Sequence, residues 1–145
     1  MPDILLEAYI NAPADKLYTA LTEQEGIRSW WSQQAEAAPQ VGTVSDVRFY
    51  NGGIIMKLEV EKLTPNSQVV WKPLSGVPDW PGTLVTWDLS PMENGQTKLL
   101  FGHRDFASND GSLPYSTYNW AWYIISLKKY VETGVGSPHT GDPNT

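Results

Sequence analysis

The sequence predicts an α+β protein: a curved antiparallel sheet wrapped round one long C-terminal helix, with two short helices after the first strand. Three observations carry this. Six segments have the alternation or the β-branched and aromatic content of strands, and turn residues part them. The last ordered segment has the periodicity of an amphipathic helix and ends at a glycine. Only one stretch near the start, just after the first strand, interrupts the strands with helical spacing.

In chain order, Ile4, Leu6, Ala8 and Ile10 alternate with Leu5, Glu7, Tyr9 and Asn11, giving a strand over 4–11 with one strongly apolar face. Pro13 suits a first helical position and Asp15 the positive end of a helix, so 13–22 is expected to be helical, with Leu17, Tyr18 and Leu21 on its apolar face. A second short helix over 24–31 ends in Trp30-Trp31. Strands are expected at 43–50 and 54–63, joined through Asn51-Gly52-Gly53, residues that tolerate the positive φ of tight turns. After Thr64-Pro65-Asn66-Ser67 comes a strand at 68–73. The Pro/Gly-rich segment 73–82 reads as a loop with Trp80 inside it. Strands at 83–90 and 97–106 flank a turn at Asn94-Gly95, and a polar loop runs from Ala107 to Pro114.

The closing helix is expected over 115–133. Trp120, Ile124, Leu127 and Val131 fall on one stripe at about 100° per residue. Lys128 and Lys129 suit the negative helix end, and Gly134 a left-handed cap. Residues 1–134 thus read as one domain. Residues 135–145, rich in Gly and Pro with almost nothing apolar, read as a disordered tail.

Composition narrows the function. The chain has 145 residues and a net charge of −6, with basic residues scattered, so nucleic acid and anionic membranes are excluded as partners. No apolar run approaches the roughly 20 residues of a membrane span. No basic region precedes an apolar run at Met1-Pro2-Asp3, so no secretory leader is expected. With no cysteine there are no disulfides and no thiolate chemistry, which fits a cytoplasmic protein. Seven Trp and seven Tyr in so short a chain can fill a core, line a pocket or form an interface such as a homodimer contact.

His103 is the single histidine ahead of the tail. It shares a strand face with Leu99, Phe101 and Asp105. It is either a polar anchor or general base in a cavity, oriented by Asp105, or a buried histidine bonded to backbone or to a Tyr; a lone ionisable group favours the second. Trp71, Trp87, Phe101, Trp120, Tyr123 and Ile124 face the same interior, as lining for an apolar or aromatic ligand or as plain core. Trp30 and Trp31 read as packing. Trp80, costly to leave in water, reads as a cap on a pocket mouth or a dimer contact. One core histidine cannot build a metal site. No phosphate loop, nucleophile elbow or zinc-protease motif is present, so no metal, no cofactor and no catalytic residue other than His103 is expected.

Ile10-Asn11-Ala12-Pro13-Ala14-Asp15, Gly26-x-x-x-Trp30-Trp31, Thr97 to His103 and Trp120 to Gly134 together resemble the START-like (SRPBCC) superfamily. Within it they are similar to the homologues of the ATPase activator of the ninety-kilodalton heat-shock chaperone. Where that branch has Ser-Gly-Phe after the histidine, this chain has Arg104-Asp105-Phe106. The resemblance implies a helix-grip fold with a cavity between helix and sheet. It implies one of three activities: binding a small apolar or aromatic molecule, cyclase or hydrolase chemistry through His103, or a protein-binding role in the stress response with a chaperone as partner.

Overall fold

The computed structural model describes residues 1–141. One seven-stranded antiparallel sheet runs in the order β1-β7-β6-β5-β4-β3-β2. Its strands are β1 (Ile4–Ile10), β2 (Gln34–Glu36), β3 (Val44–Phe49), β4 (Ile54–Thr64), β5 (Gln68–Ser75), β6 (Leu84–Pro91) and β7 (Thr97–Arg104). The helices are α1 (Ala14–Thr22), α2 (Gln24–Trp30) and α3 (Leu113–Thr133). The first strand closes on the last, from Ile4 opposite His103 to Ile10 opposite Thr97. This is the helix-grip architecture that the strand pattern and the final helix predict.

The sheet bends where β4 and β5 slip register, between Lys57 and Leu58 and between Val60 and Lys62; such bulges sharpen local twist. Pairing of β5 with β6 stops at Trp71 opposite Val85, ahead of Pro73, which has no N–H to give a further ladder bond. β5 stays paired with β4 as far as Ser75 opposite Lys57, so the loop expected from 73 starts only after Ser75. From there the segment carrying Val77 and Trp80 turns towards α3, where Trp80 bonds Ser116.

α3 buries Trp120, Ile124 and Leu127 and ends on Gly134, whose φ of 89° lets its N–H reach the Tyr130 carbonyl at 2.7 Å. Glu132 ties the helix end to the first loop by accepting from Asn11 N at 2.7 Å. α1 and α2 close one end of the sheet. They meet at Gly26, where a Cβ would lie 2.6 Å from Ala20 Cα, and Trp30 Nε1 donates to the Ala20 carbonyl at 2.8 Å.

Four further expectations change. Pro13 stands just before α1 as its cap rather than as its first residue. A short strand, β2, pairs with β3 inside a segment too polar and brief to signal itself. β7 ends at Arg104, because Asp105 takes a φ of 71° and leaves the sheet. Finally, the disordered tail expected from 135 does not hold for 135–141. His139 is buried, its N–H donates to the Trp31 carbonyl and its carbonyl accepts from Gln33 N, both at 2.9 Å, and Ser137 N donates to Ser126 Oγ. Backbone bonds and one ring hold this segment, so its lack of an apolar run was no guide. Residues 142–145 lie outside the described residues.

Candidate functional site

The aromatic surplus is one contiguous assembly. Six of the seven tryptophans are buried. Trp31 stacks on Trp71 at 5.6 Å and on Trp30 at 5.5 Å, and packs against Trp120 at 5.3 Å. Trp120 in turn stacks on Trp80 at 5.6 Å and meets Phe101 at 4.6 Å. Trp87 packs edge-on against Trp30, Trp71 and Phe101. Its Nε1–H has no acceptor among the described residues, a cost of roughly 1–3 kcal/mol that the ring's burial must offset.

His103 sits within this assembly, fully buried. Trp120 Nε1–H donates to Nδ1 at 3.0 Å, which leaves the ring proton on Nε2. Nε2–H reaches Thr83 Oγ1 at 2.7 Å, and the Thr83 hydroxyl donates onward to the Trp80 carbonyl. Trp80 and Phe106 pack on the ring at 4.7 and 4.4 Å. Burial lowers its pKa to about 3, so the ring is neutral at physiological pH. Asp105 does not orient it. Past the end of β7, Asp105 is exposed and its N–H donates to Asp3 Oδ1. Both ring nitrogens are committed to structural partners, so His103 ties β7 to α3 and to the loop that leads into β6 rather than presenting a base.

The open space lies on the other side of Trp120. A half-open recess of about 150 Å³ separates the first turns of α3 from the β3–β4 connection. Trp31, Trp80 and Trp120 make its inner wall; Phe49, Tyr50, Ile54 and Met56 line the sheet side. Val77 lies on its wall, and Tyr115, Ser116, Asn119 and Tyr123 supply the α3 face. Tyr50 adopts a φ of 54°, in the left-handed region that a bulky residue rarely enters, so the turn begins one residue before Asn51. Its ring lies 4.7 Å from that of His139, which also packs on Phe49. The docked tail therefore buttresses one wall. Ser116 Oγ accepts from Trp80 Nε1 at 2.9 Å. Burial, with the Tyr50 and Tyr115 hydroxyls nearby, pushes the Tyr123 hydroxyl up to about 12, so it stays a neutral donor.

Of the residues expected to line one cavity, Trp120 and Tyr123 do so. Trp71, Trp87, Phe101, His103 and Ile124 are buried in the core beneath. Strand alternation reports which side chains point inward, not whether space remains between them. Tyr115, Asn119 and Tyr123 share one helix face at four-residue spacing, and this spacing is the sequence signal for the α3 wall of the recess. Among the described residues no group of acidic, histidine or cysteine side chains could hold a metal, and no helix is long and apolar enough to cross a membrane.

The family model for Activator of Hsp90 ATPase homolog 1-like proteins matches residues 11–132. The chain belongs to this family. The solution structure of the Aha1 dimer from Colwellia psychrerythraea is 32% identical, with a TM-score of 0.85, over 94% of this chain and 100% of that one. A Staphylococcus saprophyticus protein is 19% identical with a TM-score of 0.78, over 97% of this chain and 99% of its own. One from Mesorhizobium loti is 23% identical with a TM-score of 0.77, over 88% and 95%. The last two carry the fold alone. Among curated proteins nothing matches. The family's glycine and tryptophan pair at Gly26, Trp30 and Trp31 have physical roles here: close approach of α1 to α2, and the floor of the aromatic assembly.

Proposed function

We propose that this family member binds a small aromatic molecule in the recess beside Trp120 and does not transform it. The observation that carries the reading is the wall itself: three indoles and Phe49 around a space with few polar groups. Ligand sites are mostly apolar with a small number of placed donors and acceptors. Here the Ser116 and Tyr123 hydroxyls and the Asn119 amide would read one polar substituent. Size narrows the ligand class. A dry apolar cavity of roughly 150 Å³ admits a benzene ring, whereas drug-sized ligands occupy about 300–1,000 Å³. At about 150 Å³ this recess suits a single ring rather than a long acyl chain or a polyketide. The enzymatic alternative loses its base, since His103 has no free ring nitrogen. The lack of cysteine fits a cytoplasmic setting for this binding.

Titrating benzoates, phenols and hydroxybenzaldehydes while following tryptophan fluorescence tests the proposal. A saturable change is expected, because Trp31, Trp80 and Trp120 would all change environment. Val77→Trp, which places an indole at the recess, should remove the response without altering the melting temperature. An unmoved signal with every compound, or full binding by Val77→Trp, would contradict the reading. By extension from the Colwellia relative, solved as a dimer, we also propose that this chain self-associates.

A further inference from the structure

α3 carries a second apolar face that the fold does not use. Opposite the buried Trp120, Ile124 and Leu127 stand Tyr115, Tyr118, Trp122 and Ile125, which are 67%, 68%, 53% and 65% exposed. Their spacing of three, four and three residues, with Lys129 four further on, is the narrow seam of a helix that packs on another helix. Trp122 is the one tryptophan of seven left exposed. The Tyr115 and Tyr118 rings already stack at 6.4 Å, presenting a flat, ordered surface. From Leu113 to Leu127 the helix has no charged residue, although the chain carries a net charge of −6. An uncharged, aromatic face is what lets two copies of an acidic protein approach, and it offers nothing to a strongly charged partner.

We propose that this face is the homodimer interface, with the two α3 helices packed antiparallel about a two-fold axis at Trp122. The inference rests on the self-association proposed above and names its surface. In an antiparallel pair centred on Trp122, Tyr118 meets Ile125 of the second copy, and Lys129 lies over the Tyr115 ring, a favourable cation–π arrangement. A parallel pair would set the two Lys129 ammonium groups against each other. The four side chains expose on the order of 500 Å² of apolar surface, at the upper end for patches on a monomer. Two such faces together reach the roughly 1,000 Å² at which an interface becomes specific. Tyr115 belongs to both the seam and the recess wall, so the second copy would stand beside the mouth of the ligand site.

Sedimentation velocity on the full chain, from roughly 1 µM to 1 mM, tests this. The wild type should sediment as a dimer of the 16.2 kDa chain. Trp122→Glu and Ile125→Lys, each on the exposed side of α3, should weaken dimerisation about tenfold or more while the circular dichroism of the folded chain holds. Leu74→Glu, at another exposed apolar site, should leave the dimer intact. A wild type that stays monomeric at the highest concentration overturns the self-association itself. A dimer that persists in both α3 variants, or that Leu74→Glu breaks instead, overturns the choice of face and leaves self-association standing.

Discussion

Protonation of His103 should make this protein acid-sensitive in a calculable way. The ring accepts from Trp120 at Nδ1, so adding a proton there would set one N–H against another in a fully buried site. Burial lowers the folded-state pKa to about 3, whereas an unfolded chain titrates near 6.5. The folded pKa is the lower of the two. Above about pH 6.5 both states are neutral and the group adds no pH dependence. Below it, only the unfolded state takes up the proton, and stability falls by about 1.4 kcal/mol per pH unit until the folded pKa is reached. At pH 5 the loss from this group alone is about 2 kcal/mol. Urea unfolding of the wild type and of His103→Gln at pH 7.5 and pH 5.0 isolates it, because every other group is common to both proteins. The wild type should lose about 2 kcal/mol more than the variant over that interval. Equal losses would mean that the His103 ring takes up its proton as readily in the folded protein as in the unfolded chain. Should His103→Gln not fold, ring nitrogen shifts of the wild type decide. They should report the Nε2–H tautomer with no titration down to pH 4, and a midpoint near 6.5 would contradict the burial argument.

Three further outcomes are expected. Gly26→Ala should destabilise by about 1–3 kcal/mol in chemical denaturation, since its Cβ would collide with Ala20 backbone that cannot move aside; a change below about 0.5 kcal/mol would mean the helices part without cost. Truncation after Val135 should cost about 1–2 kcal/mol, because the bonds to Trp31, Gln33 and Ser126 and the His139 packing on Phe49 and Tyr50 are lost together; an unchanged melting temperature would show that the tail does not dock in solution. In an ultraviolet alkaline titration the latest tyrosine to ionise, near pH 12, should vanish in Tyr123→Phe; persistence of that component would place the buried hydroxyl elsewhere.

The fold was legible because each element announced itself locally. Alternation marked β1, Asn94-Gly95 marked the turn before β7, and the Trp120–Ile124–Leu127 stripe with Gly134 marked α3 and its end. β2 and the tail were not legible because both are held by backbone pairing, which leaves no trace in polarity. Asp105 shows how one dihedral defeats a face assignment: alternation holds only while the strand does, and β7 stops at Arg104. The site was half legible. Trp80 was rightly too costly to leave in water, and it is both buried and part of the recess wall. No cavity reaches beneath Trp120, because Trp87, Phe101 and His103 fill the space that their inward orientation suggests. Filling is a tertiary outcome, set by side chains from four elements at once.

The claim that the recess beside Trp120 holds one aromatic ring is tested most directly by amide and indole chemical shifts of the labelled protein, titrated with a single-ring phenol that changes its fluorescence. Shifts should concentrate at Trp31, Tyr50, Trp80, Trp120 and Tyr123, with the indole of Trp87 little moved because it is sealed in the core. Shifts confined to Tyr118, Trp122 and Ile125 on the exposed side of α3, or none at saturating phenol, would contradict it.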